Sequence, residues 1–105
     1  MPFNARQLAT DLLNAAYNAG GSLTATFDIG DWPDEMVRET VDHILADRDQ
    51  FKLRLKGIRT DTVGFAKFGV PMDTSNSGRY QGIPVVMAER VHFDTMELVF
   101  EPRRQ

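Results

Sequence analysis

The segment Phe51-Lys52-Leu53-Arg54-Leu55-Lys56 alternates apolar and cationic residues without a break. Successive side chains of a strand point to opposite faces, so this stretch reads as a strand with one greasy face and one cationic face. Such a strand belongs to a sheet that is covered on its apolar side.

The rest of the chain supplies the cover. Asn4 is a good N-cap, Gln7 stands where a capping box needs it, and Phe3 with Leu8 occupies the staple positions. Leu8, Leu12, Ala15, Ala16 and Ala19 then recur at helical spacing, with Ala5 and Ala9 keeping that side small, until Gly20-Gly21 stops the helix. Leu23, Ala25, Phe27 and Ile29 alternate with Thr24, Thr26 and Asp28 as a half-buried strand that ends at Gly30. Asp31 followed by Trp32-Pro33-Asp34-Glu35 predicts a second helix, capped by Asp31, with Pro33 in its first turn and acids where the helix dipole favours them. Val37, Val41, Ile44 and Leu45 form its buried stripe, to about Asp47.

Beyond Lys56 the pattern is less regular. A strand is expected near Thr62 to Val70, but Val63 and Phe65 share one parity while Phe68 and Val70 take the other, which calls for a bulge at Ala66-Lys67. Pro71 to Gly82 is rich in turn formers and is the longest loop expected. Ile83 to Met87 reads as a strand in which Pro84 is confined to an edge or to the first residues. Met96, Leu98 and Phe100 alternate with Glu97, Val99 and Glu101 in a last strand closed by Pro102. Helices early and strands late predict an α+β layer: two helices on one face of a four- to five-stranded, mostly antiparallel sheet. The first strand, second helix and second strand suit a parallel crossover.

At 105 residues the chain can hide roughly 65% of its unfolded surface, enough for one domain spanning 1–105. The absence of cysteine removes disulfides, thiolate metal sites and cysteine nucleophiles. The apolar run from Ile83 to Ala88 is too short to span a bilayer, and Met1 to Leu8 has no signal-peptide character, so a cytoplasmic protein with no membrane partner is expected.

Charge is unevenly placed. Residues 1–50 carry three Lys or Arg against nine Asp or Glu, whereas residues 51–105 carry nine against six. Opposed halves of this kind can orient self-association or steer a charged partner. Lys52, Arg54 and Lys56 share one strand face at a spacing that could follow a phosphate backbone, which makes single-stranded nucleic acid a candidate ligand. The plainer reading is an edge strand whose lysines and arginine discourage sheet-to-sheet aggregation. Asp28, Asp31 and Asp34, with Glu35, could hold a hard cation at a strand-to-helix junction and so support a metal-dependent hydrolase. The same acids already serve as helix cap and first-turn charges.

Other catalytic sets fail to assemble. Glu39 and His43 lie one helical turn apart, but a histidine flanking an apolar stripe is commonly a boundary residue. His92 stands near Asp94 with nothing linking it to His43, and Ser75 and Ser77 lack the context of an activated nucleophile. Gly20-Gly21-Ser22 leaves a helix and enters a strand, the wrong direction for a phosphate-cradling loop. No cofactor is expected. Trp32, Met72, Arg79 and Tyr80 are the side chains expected to meet a partner, aromatic residues, methionine and arginine being enriched at interfaces.

The segment Tyr80-Gln81-Gly82-Ile83-Pro84-Val85-Val86-Met87, with Phe93-Asp94-Thr95-Met96-Glu97-Leu98, resembles a Gly-x-Pro-Val-Val strand, turn and strand element of bacteriophage structural proteins, including major capsid proteins. The resemblance implies a small phage or prophage protein that binds protein partners, and no site residue follows from it. The expectation is a non-enzymatic interaction module, homo-oligomeric, presenting a sheet edge or the 71–82 loop.

Overall fold

Asn4 opens the first helix: its side chain accepts a hydrogen bond from the Gln7 amide at 3.0 Å, satisfying one of the amides a helix start leaves over. Gln7 does not return the bond; its Nε2 donates to Asp11 one turn on. The computed structural model describes residues 4–73, 76–88 and 94–102, so Phe3 of the expected staple, Ser75 and His92 lie outside the described residues. Helix α1 spans Ala5–Asn18 and buries Ala5, Ala9, Leu12, Leu13 and Ala16, while Ala15 and Ala19 face solvent. Its small residues let α1 lie close to α2 (Asp34–Asp47), which buries Val37, Thr40, Val41 and Ile44. No side chain caps α2. The N-cap is Pro33, with Asp34 and Glu35 in the first turn, so the cap expected of Asp31 is not made.

Strand β1 (Leu23–Asp28) follows the expected alternation, with Leu23, Ala25 and Phe27 half-buried and Thr24, Thr26 and Asp28 exposed. After α2 the chain makes a 3₁₀ turn over Arg48–Phe51 and passes through Lys52 at φ +55° before strand β2, Leu53–Thr60, begins. The alternation at Phe51-Lys52 is therefore cut off by a turn; Phe51 packs edge-on to Tyr17, with ring centroids 6.5 Å apart. Within β2 the register against its neighbour slips between Leu55 and Gly57, leaving Lys56 on a bulge. The slip restores inward facing to Ile58 and Thr60 and turns Arg59 outward.

The expected strand at 62–70 is a helix. Asp61 caps α3 (Thr62–Phe68) by accepting from the Gly64 amide at 2.9 Å, and Gly69 ends it at φ +66°. The parity change between Phe65 and Phe68 is helical spacing, since the two lie about one turn apart and are both buried, and no bulge at Ala66-Lys67 is needed. Three strands follow: β3 (Ser77–Tyr80), β4 (Ile83–Met87) and β5 (Thr95–Pro102).

The sheet order is β1-β5-β2-β4-β3, so the cationic strand β2 lies between β5 and β4 and is not an edge strand. All pairs are antiparallel except β2 with β4. Since β1 and β2 both run antiparallel to β5, the β1-α2-β2 unit is a parallel crossover with β5 inserted between its strands. Pro84 is tolerated in an interior strand because the β2–β4 register starts only at Val85. The α+β layer is as expected, with a third helix added. Leu13, Ile44, Phe65 and Phe68 from the helices pack with Leu55, Ile58, Val85, Met96, Leu98 and Phe100 from the inward face of the sheet in one apolar cluster. Among the described residues no element covers the other face.

Candidate interaction surface

The uncovered face is built by strand alternation. β1 contributes Thr24, Thr26 and Asp28; β5 contributes Glu97, Val99 and Glu101; β2 contributes Arg54, Lys56 and Arg59; β4 adds Pro84 and Val86, and β3 adds Arg79. One half is thus acidic and the other basic. Where the halves meet, Arg54 pairs with Glu101 at 3.3 Å and Arg59 with Glu97 at 3.5 Å. Such exposed pairs add little stability, typically under about 1 kcal/mol each, but they hold the charges in fixed rows. Lys56, raised on the bulge, has no ion-pair partner among the described residues.

Between the ion pairs lies an apolar depression of about 330 Å³, lined by Gly57, Pro84, Val86 and Val99 and bordered by Lys56 and Arg59. Val86 is 38% exposed, unusual for a valine in an interior strand. The missing side chain at Gly57 keeps the depression open.

The sequence candidates are only partly brought together. Arg54 and Lys56 stand in the cationic row, but Lys52 does not: in its left-handed turn it borders a separate depression with Tyr17 and Phe51. Arg59 takes its place in the row, which alternation from Phe51 missed because the bulge resets parity after Lys56. The Asp28 side chain accepts from the Gly30 amide at 3.0 Å, Asp31 is exposed in the following turn, and Asp34 lies in the first turn of α2. Among the described residues no three of His, Asp and Glu come together to hold a metal ion.

Of the expected contact residues, Met72 is 44% exposed and Arg79 is exposed, its guanidinium donating to the Gly82 carbonyl at 3.2 Å. The other two are largely spent inside the molecule. Trp32 is half-buried against Phe27, and its carbonyl accepts from Lys67 Nζ at 2.6 Å. Tyr80 packs on Phe68 and donates its hydroxyl proton to Asp42 Oδ1 at 2.7 Å, an acceptor it shares with Gln81. Burial, and after it the bond to Asp42, raises the Tyr80 pKa above the ordinary tyrosine value.

Asp61 is a structural centre that sequence reasoning missed. Besides capping α3, its Oδ2 accepts from the Asp94 amide at 2.6 Å, while the Asp94 carbonyl accepts from Ile29 and Thr60 Oγ1 donates to the Thr95 carbonyl. The ends of β1 and β2 and the start of β5 are thereby tied together. Among the described residues no helix is long and apolar enough to cross a membrane. No family model, curated protein or solved structure matches the chain.

Proposed function

We propose that the chain is a small, non-enzymatic protein-interaction module that self-associates through the helix-free face of its sheet. The observation that carries this is the face left uncovered among the described residues, with Val86 exposed and Pro84 and Val99 half-buried at its centre between an acidic and a basic half. A two-fold axis through that centre, lying in the face and parallel to the strands, lays the acidic half of one copy on the basic half of the other, the complementarity that fixes register in protein contacts. At ~3.3 Å per residue and ~4.8 Å between strands, the face measures roughly 500 Å². Two copies would bury about 1,000 Å², the size at which specific association begins. The resemblance of Tyr80 to Leu98 to a phage structural element supports the same role, although β4 and β5, its two strands, are separated by β2 instead of pairing with each other.

Solution mass tests this. A dimer is expected at tens of micromolar protein in low salt, weakening in half-molar salt as the charge rows are screened. A strict monomer at every concentration and salt overturns it.

Single-stranded nucleic acid is the second reading, favoured by the row of Arg54, Lys56 and Arg59. It has weaker support. Strand-based readers of single strands stack bases on aromatic rings, and among the described residues no aromatic side chain lies on this face. A salt-sensitive shift of a labelled oligonucleotide by the parent protein, lost in the triple variant Arg54→Glu, Lys56→Glu, Arg59→Glu, would establish it; no shift would end it.

A further inference from the structure

The two edges of the sheet are treated differently by the chain. At the β3 edge the hairpin closes on the pair Tyr80–Ile83, which turns the amides and carbonyls of Ser77 and Arg79 outward. Both groups of Ser77 are already engaged by Asp73: the Asp73 amide donates to the Ser77 carbonyl at 2.8 Å, and the Ser77 amide donates to Asp73 Oδ1 at 3.1 Å. Val70 and Pro71 lie over the adjoining Gly78. That edge is short and closed by its own loop.

Among the described residues nothing pairs with the outer edge of β1. Ile29 donates to the Asp94 carbonyl, continuing the β1–β5 register, so the odd-numbered residues of β1 bond to β5 and the amides and carbonyls of Thr24 and Thr26 point away from the sheet. The strand Leu-Thr-Ala-Thr-Phe-Asp carries no lysine, arginine or proline and no bulge, the devices that blunt a free edge. On its helix side Leu23, Ala25 and Phe27 are only half-buried, whereas their partners Phe100, Leu98 and Met96 on β5 are fully buried.

We infer that β1 is a second contact surface, and that its occupant is β1 of another copy, paired antiparallel about a two-fold axis at Ala25. The inference shares with the proposed function only the premise that the chain self-associates. Several observations fix the register. Keeping both apolar rows on the helix side demands that odd residues face odd residues. Centring on Ala25 uses the whole span from Ser22 to Asp28, about 24 Å of strand. It sets Thr24 opposite the second copy's Thr26, where the outward backbone groups exchange hydrogen bonds, and Leu23 opposite Phe27, an aliphatic–aromatic cross-strand pair. Charge is compatible too, since Asp28 faces Ser22 and not another acid. One strand pair covers far less than a standard interface, so this contact is weak and concentration-dependent. Combined with the open face, it would join dimers into larger assemblies.

A chain without cysteine allows a clean test. Ala25 meets its counterpart in a non-hydrogen-bonded pair, where Cα atoms are ~4.5 Å apart and a disulfide fits. The single variant Ala25→Cys is expected to form a disulfide-linked dimer on mild oxidation. Thr24→Cys is expected not to, because the two thiols are offset by two residues along the strand. The cross-link should persist when Val86→Glu is added, since that change touches only the open face. Failure of Ala25→Cys to cross-link faster than Thr24→Cys, in a protein that is dimeric by mass, overturns the edge pairing and leaves the open-face reading standing. A monomer under all conditions overturns both. Should the cysteine variants misfold, amide exchange of the parent protein decides: Thr24 and Thr26 are expected to exchange more slowly as protein concentration rises, and no such dependence counts against the pairing.

Discussion

A Cβ added at Gly64 would overlap the Thr60 hydroxyl, itself fixed by its bond to the Thr95 carbonyl. Gly64→Ala should therefore destabilise the protein by about 1–3 kcal/mol, even though alanine is the better helix former by about 1 kcal/mol. Thermal unfolding checks this, with about 4–8 °C lost per kcal/mol in a domain of this size. In a Thr60→Ala background the same substitution should cost clearly less, and equal costs would remove the steric explanation. Tyr80 supplies a pH signature. Its raised pKa means that the folded protein keeps a proton that unfolded tyrosine loses near pH 10. The stability it contributes is fully present below about pH 10 and is lost as the pH rises through the folded value. Denaturant midpoints from pH 8 to 11 should fall more steeply for the parent than for Tyr80→Phe. Neither residue announces its role in the sequence: Gly64 reads as an interruption and Tyr80 as an exposed loop aromatic, because each depends on partners far along the chain, Thr95 and Asp42.

Among the elements, those with local signals were legible and those set by tertiary contact were not. The Asn4 cap, the Gly20-Gly21 stop and the β1 alternation all lie within a few residues of what they control, and each stands where its residues indicate. The third helix did carry local signals, an Asp61 cap and a Gly69 stop. They were outweighed by the apolar run between them, since seven residues fit a short helix or a strand equally well. The bulge at Lys56 had no local mark beyond Gly57; past it Ile58, Arg59 and Thr60 pair with β5 and β4 together. Asp61 links two scales, capping one helix and holding the start of β5. Asp61→Ala should cost about 1–2 kcal/mol, and Asp61→Asn, which keeps an oxygen for the cap, should cost less. Circular dichroism melts of the two variants check the order; an equal loss would mean that the cap is not the source.

At the level of the whole molecule, the sequence supplied the layers but not the order of the strands. Arg54 and Lys56 were recognisable as an outward row, whereas Glu97 and Glu101 became part of the same surface only because β5 inserts beside β2. On the proposed reading Val86→Glu should leave unfolding nearly unchanged, within about 0.5 kcal/mol, while reducing the solution mass towards monomer. A variant that unfolds early, or keeps the parent mass, would count against the open face. The strand order also bears on synthesis. β5 is the last strand made yet occupies the seam between β1 and β2, so a nascent chain holds both early strands without their shared neighbour while some forty residues are added. At 5–20 residues per second that wait lasts roughly 2–8 s, far longer than the microseconds a hairpin needs to form. Throughout it, the cations of β2 repel the like strand of a neighbouring nascent chain. Like charges on two unclosed seams oppose their pairing, as charges on a free strand edge do in a finished sheet.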